Sequence, residues 1–250
     1  SMAGESPEPT VSLTSPTQSV ADAIGDAAMG AASGELGIEN LSPPLQIAFL
    51  LGAFALLTAV LVSVTSFTRI VIVLSFVRRA LTTQEIPPNP SIIGLALFMT
   101  LFTMGPVFDA IHERAIAPLL AESISTTEAI RLSADELRAF MLHHTRERDL
   151  MMFLSISGSA SPTDLSDTPT RVLVPAFMIS ELKTAFIMGF CIYVPFILID
   201  LLVSTILMSL GMMMMPPVIV SAPIKLLLFV LVDGWHLVAH ALGSSFRGGP

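Results

Sequence analysis

The sequence has few charged residues and almost no cysteine, tryptophan or tyrosine. Only 13% of its 250 residues are charged, about half the level of a soluble domain, whereas 53% are apolar. A soluble core of this length cannot hide so much apolar surface from water, so lipid or a large helical assembly must cover it. The lone Cys191 excludes a disulfide framework within one chain. One Trp and one Tyr make only a weak aromatic belt.

Basic patches and enzyme motifs are also missing from the sequence. The formal net charge of -8, with no arginine-rich face and no phosphate-binding glycine loop, excludes nucleic acid as a partner. There is no G-x-S-x-G elbow, no H-E-x-x-H pair and no redox cysteine pair. His143 and Glu147 share a helical face, but two ligands make an incomplete zinc site, and a solvated surface explains them better. The sequence therefore predicts a protein that is not an enzyme and has no metal and no cofactor.

Composition divides the chain into five segments. Residues 1–46 are acidic, contain no Lys or Arg and are rich in Ser, Pro, Ala, Gly and Thr, which predicts a disordered arm. This arm lacks the basic start and apolar middle of a secretory signal. The other segments are a first pair of hydropathic helices with a Pro-rich loop (47–112), a small helical domain (113–171), a second hydropathic pair with a Met-rich loop (172–243) and a tail (244–250).

The apolar segments predict an all-α protein of the integral-membrane type. We expect hydropathic helices at about 44–80, 92–111, 174–210 and 218–242, the third being either one helix or a kinked pair. In the domain between them, Ser133 and Glu136 have the spacing of a capping box, which predicts a helix start.

Basic residues near the first loop predict the orientation. Arg69, Arg78 and Arg79 place the loop at 82–90 in the cytoplasm. The acidic arm and the domain at 113–171 then lie outside, which in a Gram-negative cell is the periplasm.

Five charged residues lie inside the last apolar block: Glu181, Lys183, Asp200, Lys225 and Asp233. An ionised group at mid-membrane costs about 2.5–3.5 kcal/mol on insertion scales, so we expect these groups to form buried ion pairs or to line water. The specific hypothesis is a Glu181–Lys225 bridge between the third and fourth segments, within one subunit or between two. A position near lipid headgroups at helix ends and a proton path are the alternatives.

Two further features are unusual for an apolar helix. Met212, Met213, Met214 and Met215 are confined between Gly211 and Pro216. Four consecutive methionines would point in all directions from a helix, so they suit a loop, and a ring of such loops could form a deformable seal; filling a core is the alternative. Arg69 lies within the first long segment, either as a charge that reaches the membrane surface or as a subunit contact.

Several short motifs resemble the flagellar biosynthetic protein P family (FliP), in order, between about residues 45 and 243. These are 65–70 (TSFTRI), 87–89 (PPN), 94–98 (GLALF), 138–141 (RAFM), 180–186 (SELKTAF), 195–200 (PFILID), 211–214 (GMMM), 216–217 (PP) and 225–235 (KLLLFVLVDGW). The injectisome R-type export proteins are relatives, and Thr68-Arg69 favours the flagellar branch.

The resemblance implies an export-gate component of the flagellar type III secretion system in the bacterial inner membrane, within the flagellar basal body and largely facing the periplasm. Family members form a homopentamer, joined by the Q and R export-gate proteins and other flagellar export proteins, which passes unfolded flagellar proteins across the membrane. Partner proteins supply the energy.

Individual positions also carry over from the family pattern. Met212, Met213 and Met214 match the methionine loop that seals the closed pore, and Met215 replaces an expected aliphatic residue while keeping the seal chemistry. Glu181 and Lys225 match charged positions. The alternatives are an injectisome export-gate subunit, a proton-coupled membrane carrier and a scaffold without a pore.

Overall fold

The computed structural model describes residues 42–81, 87–158, 168–211 and 215–247, and these residues are helical and contain no strand. The all-α prediction is confirmed. The following lie outside the described residues: 1–41 of the predicted arm, the loop centres at 82–86 and 159–167, Met212–Met214, and 248–250 of the tail. The predicted end of the arm at residue 46 is wrong, because the first helix already begins at Pro43. Within the described part, a π-helical turn, His112–Ile116, accompanies nine α-helices: α1 (Pro43–Val64), α2 (Phe67–Ala80), α3 (Asn89–Ile111), α4 (Ala117–Leu120), α5 (Thr126–His144), α6 (Glu147–Ile156), α7 (Thr170–Ser209), α8 (Pro217–Leu231) and α9 (Gly234–Ser245).

The chain divides into two compact units, residues 1–54 and 55–250. The described part of the first unit is the start of α1, which is apolar and largely exposed. The second unit is built around α2, which packs against α7 and α3. Ile70, Val73, Leu74 and Val77 of α2 repeat at helical spacing and are fully buried. Helices α5 and α6, which belong to the predicted domain at 113–171, pack against α7 and contribute Phe140, Met141, Leu150 and Leu154 to this core.

Helix length and composition suit membrane crossing. Helix α1, the stretch Asn89–Leu120 and α7 are each long and apolar enough to span a bilayer. Helices α8 and α9, which are bent by 63° at their junction, could together make a fourth span. The prediction of four long hydropathic elements is therefore confirmed, with the fourth broken.

The predicted single helix at 44–80 is wrong, because the chain breaks at Thr65 and Ser66. The Thr65 hydroxyl donates to the Leu61 carbonyl (2.8 Å), and the Thr68 hydroxyl donates to the Val62 carbonyl (2.9 Å). Side-chain hydroxyls that bond to nearby carbonyls compete with the helical ladder. Ser66 instead shares a hydrogen bond with Thr103 of α3 (2.7 Å), which attaches the break to a neighbouring helix.

Two other predicted boundaries also change. The Ser133–Glu136 capping box is wrong: α5 begins earlier, and Ser125 is its N-cap, accepting a hydrogen bond from the Glu128 amide (3.2 Å). The predicted helix at 218–242 is two helices, because Asp233 has φ +51° and ends the regular geometry. Helix α7 is continuous over 40 residues, although it contains Pro195.

The α2–α7 contact is close because Gly189 lies against the Phe76 ring. A Cβ on Gly189 would be 2.5 Å from Phe76 Cδ2 and 2.6 Å from Cγ, which is too short for any real contact. We expect Gly189→Ala to lower the free energy of unfolding by about 1–3 kcal/mol, through overpacking, as measured by thermal unfolding in detergent.

Gly105 of α3 provides the matched control, because nothing lies within 4 Å of its added Cβ. Gly105→Ala should be neutral or slightly stabilising. Phe76→Ala should relieve the Gly189→Ala defect relative to the sum of the single changes. Equal effects of the two alanine substitutions would refute the close α2–α7 contact.

Candidate functional site

A buried ion pair joins the start of α2 to the middle of α7. Arg69 Nε donates to Glu181 Oε2 (2.7 Å), and Arg69 Nη2 donates to Glu181 Oε1. Arg69 is 1% exposed and Glu181 is fully buried. A bidentate guanidinium–carboxylate pair fixes both distance and orientation, so this contact sets the register of α2 against α7.

The free side of the Arg69 guanidinium holds the end of α9. Nη1 donates to the Ser245 carbonyl (3.2 Å) and to the Ser245 hydroxyl (3.1 Å). The guanidinium carbon lies 4.0 Å from the centroid of the Phe246 ring, which is a cation–π contact. Arg69 therefore contacts Glu181, Ser245 and Phe246 of its own chain, and its charge is buried within the chain. Its expected role as a subunit contact stays a prediction.

A second charged cluster joins α7 to α8. Lys225 Nζ donates to Asp200 Oδ2, and the Ser221 hydroxyl donates to Asp200 Oδ1 (2.6 Å). Lys225 and Ser221 are buried, whereas the Asp200 side chain is 34% exposed. Lys225 neutralises the carboxylate and Ser221 fixes its orientation, so this cluster joins α8 to the last third of α7.

The predicted Glu181–Lys225 bridge is wrong within the chain. Each residue is buried and charged as expected, but Glu181 pairs with Arg69, and Lys225 pairs with Asp200. Lys183 and Asp233 are exposed on the chain surface, and neither forms an ion pair among the described residues. Burial of these two groups against a neighbouring chain stays a prediction.

In the sequence, the predicted methionine seal connects α7 to α8. Helix α7 ends at Ser209, and Gly211 follows with φ +74°, a conformation that glycine adopts without strain. Met215 is described and exposed, and Pro216 precedes α8. Met212, Met213 and Met214 lie outside the described residues. The Asp200–Lys225 pair lies about ten residues from the turn on each helix, which corresponds to about 15 Å of helix.

Sequence reasoning missed the roles of Arg69, Ser221 and Ser245. An arginine in an apolar helix indicates a buried partner, and that signal was present in the sequence. The sequence did not show which residue the partner is, because two buried cations, Arg69 and Lys225, can pair with two carboxylates, Glu181 and Asp200, in more than one way. His143 is exposed, and no group of three or more His, Cys, Asp or Glu in the described part of the chain could hold a metal ion.

The apolar surface around these clusters is large. Exposed large apolar side chains cover α3, α7 and α8, for example Phe98, Phe190, Leu202 and Leu231. A monomer in water does not maintain an apolar surface of this extent, so lipid or other protein chains cover it. The site therefore consists of internal charge pairs that fix the helices, surrounded by apolar faces available for assembly.

Comparison with known proteins gives a family match over residues 50–242, to the FliP family. Flagellar biosynthetic protein FliP of Bacillus subtilis (strain 168) is 50% identical over 208 residues, which are 83% of this chain and 94% of that protein. FliP of Pectobacterium carotovorum subsp. carotovorum is 48% identical, over 84% of this chain and 81% of its own. FliP of Aquifex aeolicus (strain VF5) is 42% identical, over 85% and 90% respectively.

The match covers the helices that carry Arg69, Glu181, Asp200 and Lys225, as well as the methionine turn. The resemblance inferred from the short motifs is confirmed. Because the family match spans well over half of the chain and relatives of about half-identical sequence align over most of their length, this chain belongs to the FliP family.

Proposed function

We propose that this chain is a pore-forming subunit of the flagellar type III protein export gate, which passes unfolded flagellar proteins across the inner membrane. The observation that carries the proposal is the α7–α8 hairpin. In the sequence the methionines connect α7 to α8, and the Asp200–Lys225 pair joins these two helices about ten residues from that connection. A seal needs flexible apolar side chains on a rigid support, and methionines between two helices joined by an ion pair would supply both.

The assembly we propose is a homopentamer joined by the Q and R export-gate proteins. Exposed apolar faces on α3, α7 and α8 support an assembly in which neighbouring chains, as well as lipid, cover these helices. The relatives named above are flagellar biosynthetic proteins, which favours the flagellar branch over an injectisome export gate.

We propose an orientation with the first loop in the cytoplasm and the domain at 113–171 in the periplasm. Arg78 and Arg79, in the last turn of α2, support this orientation. Arg69 does not support this orientation, because Glu181 neutralises its charge inside the chain.

The buried charges act structurally in this proposal. Both oxygens of Glu181 accept hydrogen bonds from Arg69, so the carboxylate is held in an ion pair inside the chain. This arrangement favours a fixed scaffold around a pore over a proton-coupled carrier. The proposed gate has no catalytic step and no cofactor, and partner proteins supply the energy.

Native mass spectrometry of the detergent-extracted chain, alone and co-expressed with the Q and R proteins, tests this function. We expect a closed ring of identical chains that takes up Q and R. A stable monomer or dimer that binds neither protein would exclude the ring-shaped gate and favour a carrier.

A further inference from the structure

A band of exposed apolar side chains with a lysine at its centre runs along the first half of α7. Ile179, Phe186, Ile187 and Phe190 are each 40–59% exposed and lie on one side of the helix. Lys183 lies among them, and it is exposed and forms no ion pair among the described residues. We call these five residues the α7 band. A cation surrounded by apolar side chains on a helix long enough to span a membrane needs a counter-charge.

The α7 band faces away from the rest of the chain. Glu181 faces α2, where it pairs with Arg69. Ser180 and Thr184 face the turn between α5 and α6, which contains Arg146. With 3.6 residues per helical turn, Lys183 points about 100° away from Thr184 and about 160° away from Glu181. The counter-charge for Lys183 therefore comes from outside the chain.

Glu147 is an unpaired carboxylate at the same height along α7. It follows Arg146, whose amide donates to Ser180 (3.1 Å) and whose guanidinium donates to Thr184 (3.1 Å). These two hydroxyls flank Lys183 in the sequence. Glu147 is exposed and forms no ion pair in the described part of the chain. A free cation and a free carboxylate thus lie at one height, on different sides of the molecule.

The two charged residues after Glu147 do not take its place. Asp149 is only 8% exposed, and its Oδ2 is buried without a hydrogen bond from any described residue, so this carboxylate faces the interior of its own chain. Arg148 is exposed, but it points about 100° away from Glu147 around α6. Glu147 is the carboxylate that the start of α6 presents to the outside.

The exposed, unpaired carboxylates of the apolar helices lie at other heights. Helix α8 runs antiparallel to α7, with Lys225 beside Asp200, so Asp233 comes near the height of residue 192, roughly 14 Å from the centre of the α7 band. Helix α3 continues away from the band past Thr103, which bonds to the residue before α2, so Asp109 lies roughly 16 Å off in the other direction. Two further carboxylates follow Asp109 in the chain, still farther from the band: Glu113 and Glu122.

We propose that the α7 band is an interface with a second copy of this chain, in which Lys183 of one copy pairs with Glu147 of the next. The inference rests on the ring of identical chains proposed above and names a contact that closes it. In a ring whose axis follows the membrane normal, the copies of α7 stand at equal height, so groups of equal height meet. A cation and a carboxylate on two different faces of one chain make a head-to-tail contact, which is the kind that generates rings.

Cross-linking between two differently tagged forms of the full chain tests this contact. Both forms carry Cys191→Ser and are co-expressed with the Q and R proteins; one has Lys183→Cys and the other has Glu147→Cys, so a product with both tags joins two copies. A short bismaleimide replaces disulfide formation, because the Cα atoms of an ion pair lie farther apart than a disulfide allows. We expect a covalent dimer that carries both tags, and none when Asp233→Cys replaces Glu147→Cys.

Native mass spectrometry of charge-reversal variants separates the contact from the ring itself. Lys183→Glu should lower the fraction of chains in rings by about tenfold or more, because each contact then brings two carboxylates together. Adding Glu147→Lys to Lys183→Glu should restore the rings. Rings of the wild-type chain without the cross-link, or a double variant no better than Lys183→Glu, would overturn the contact, assign the band to lipid and leave the proposed gate intact. A wild-type chain that forms no ring would overturn the proposed gate together with the contact.

Discussion

Glu181→Ala is expected to destabilise the folded chain by about 3–5 kcal/mol, because it leaves the Arg69 guanidinium buried without a counter-charge. Arg69 is 1% exposed, so water cannot replace the lost carboxylate. The loss is a large fraction of the roughly 5–15 kcal/mol that stabilises a typical domain. Thermal unfolding in detergent should show a midpoint lower by roughly 10 °C, or no folded protein.

Two control variants test whether the unpaired buried charge causes this loss of stability. Replacing both partners, Arg69→Met with Glu181→Met, should cost less than Glu181→Ala alone, since no unpaired charge remains. Arg131→Ala removes the exposed pairs with Glu128 and Asp135 on α5 and should leave the unfolding midpoint unchanged. If Glu181→Ala and Arg131→Ala had the same effect, the Arg69–Glu181 pair would not organise the core.

Replacing Met212, Met213 and Met214 together by alanine is expected to make the assembled gate leak. The proposed seal closes because flexible apolar side chains meet and exclude water, and alanine side chains are too short to meet. Permeability of the membrane to small ions should rise on the order of tenfold, since a hydrophobic constriction that becomes wet conducts. Ion flux into membrane vesicles that contain the complete gate measures this change.

Helix α6 offers a matched control for the methionine changes. Met151 and Met152 are adjacent and exposed, but they lie far along the chain from the α7–α8 turn. Met151→Ala with Met152→Ala should leave the permeability unchanged. Equal leaks from the two sets of variants, or a tight membrane in the triple variant, would favour a scaffold without a methionine seal.

The sequence predicts the type of fold well because the length of an apolar run limits which secondary structure its backbone can adopt. Runs such as 92–111 can only be buried as helices in lipid or in a helical assembly, and α3 and α7 follow these runs closely. The breaks were not predictable, because they depend on distant contacts. Ser66 lies outside the helix and shares a hydrogen bond with Thr103 of another helix. Asp233 adopts a left-handed backbone conformation that the sequence around it does not predict.

The pairing of the buried charges also depends on contacts that the sequence does not show. The cost of burying charge predicts that Glu181 and Lys225 have partners, and each has one. Which partner each takes depends on the packing of α2, α7 and α8 in three dimensions. Arg69 precedes Glu181 by more than one hundred positions, and the packing of α2 along α7 brings the two side chains together. The role of Met212–Met214 rests on the family resemblance and on the hairpin that carries them.

Site-specific cross-linking to a stalled substrate would show whether the α7–α8 turn lines the export pore. In a Cys191→Ser background, Met215→Cys places a thiol on the exposed residue at the end of the methionine turn. A flagellar export substrate carrying a cysteine in its unfolded segment, halted during passage, should form a disulfide with residue 215 and not with Arg131→Cys on α5. A halted substrate that reacts at neither position, or equally at both, would contradict a pore lined by the α7–α8 turn.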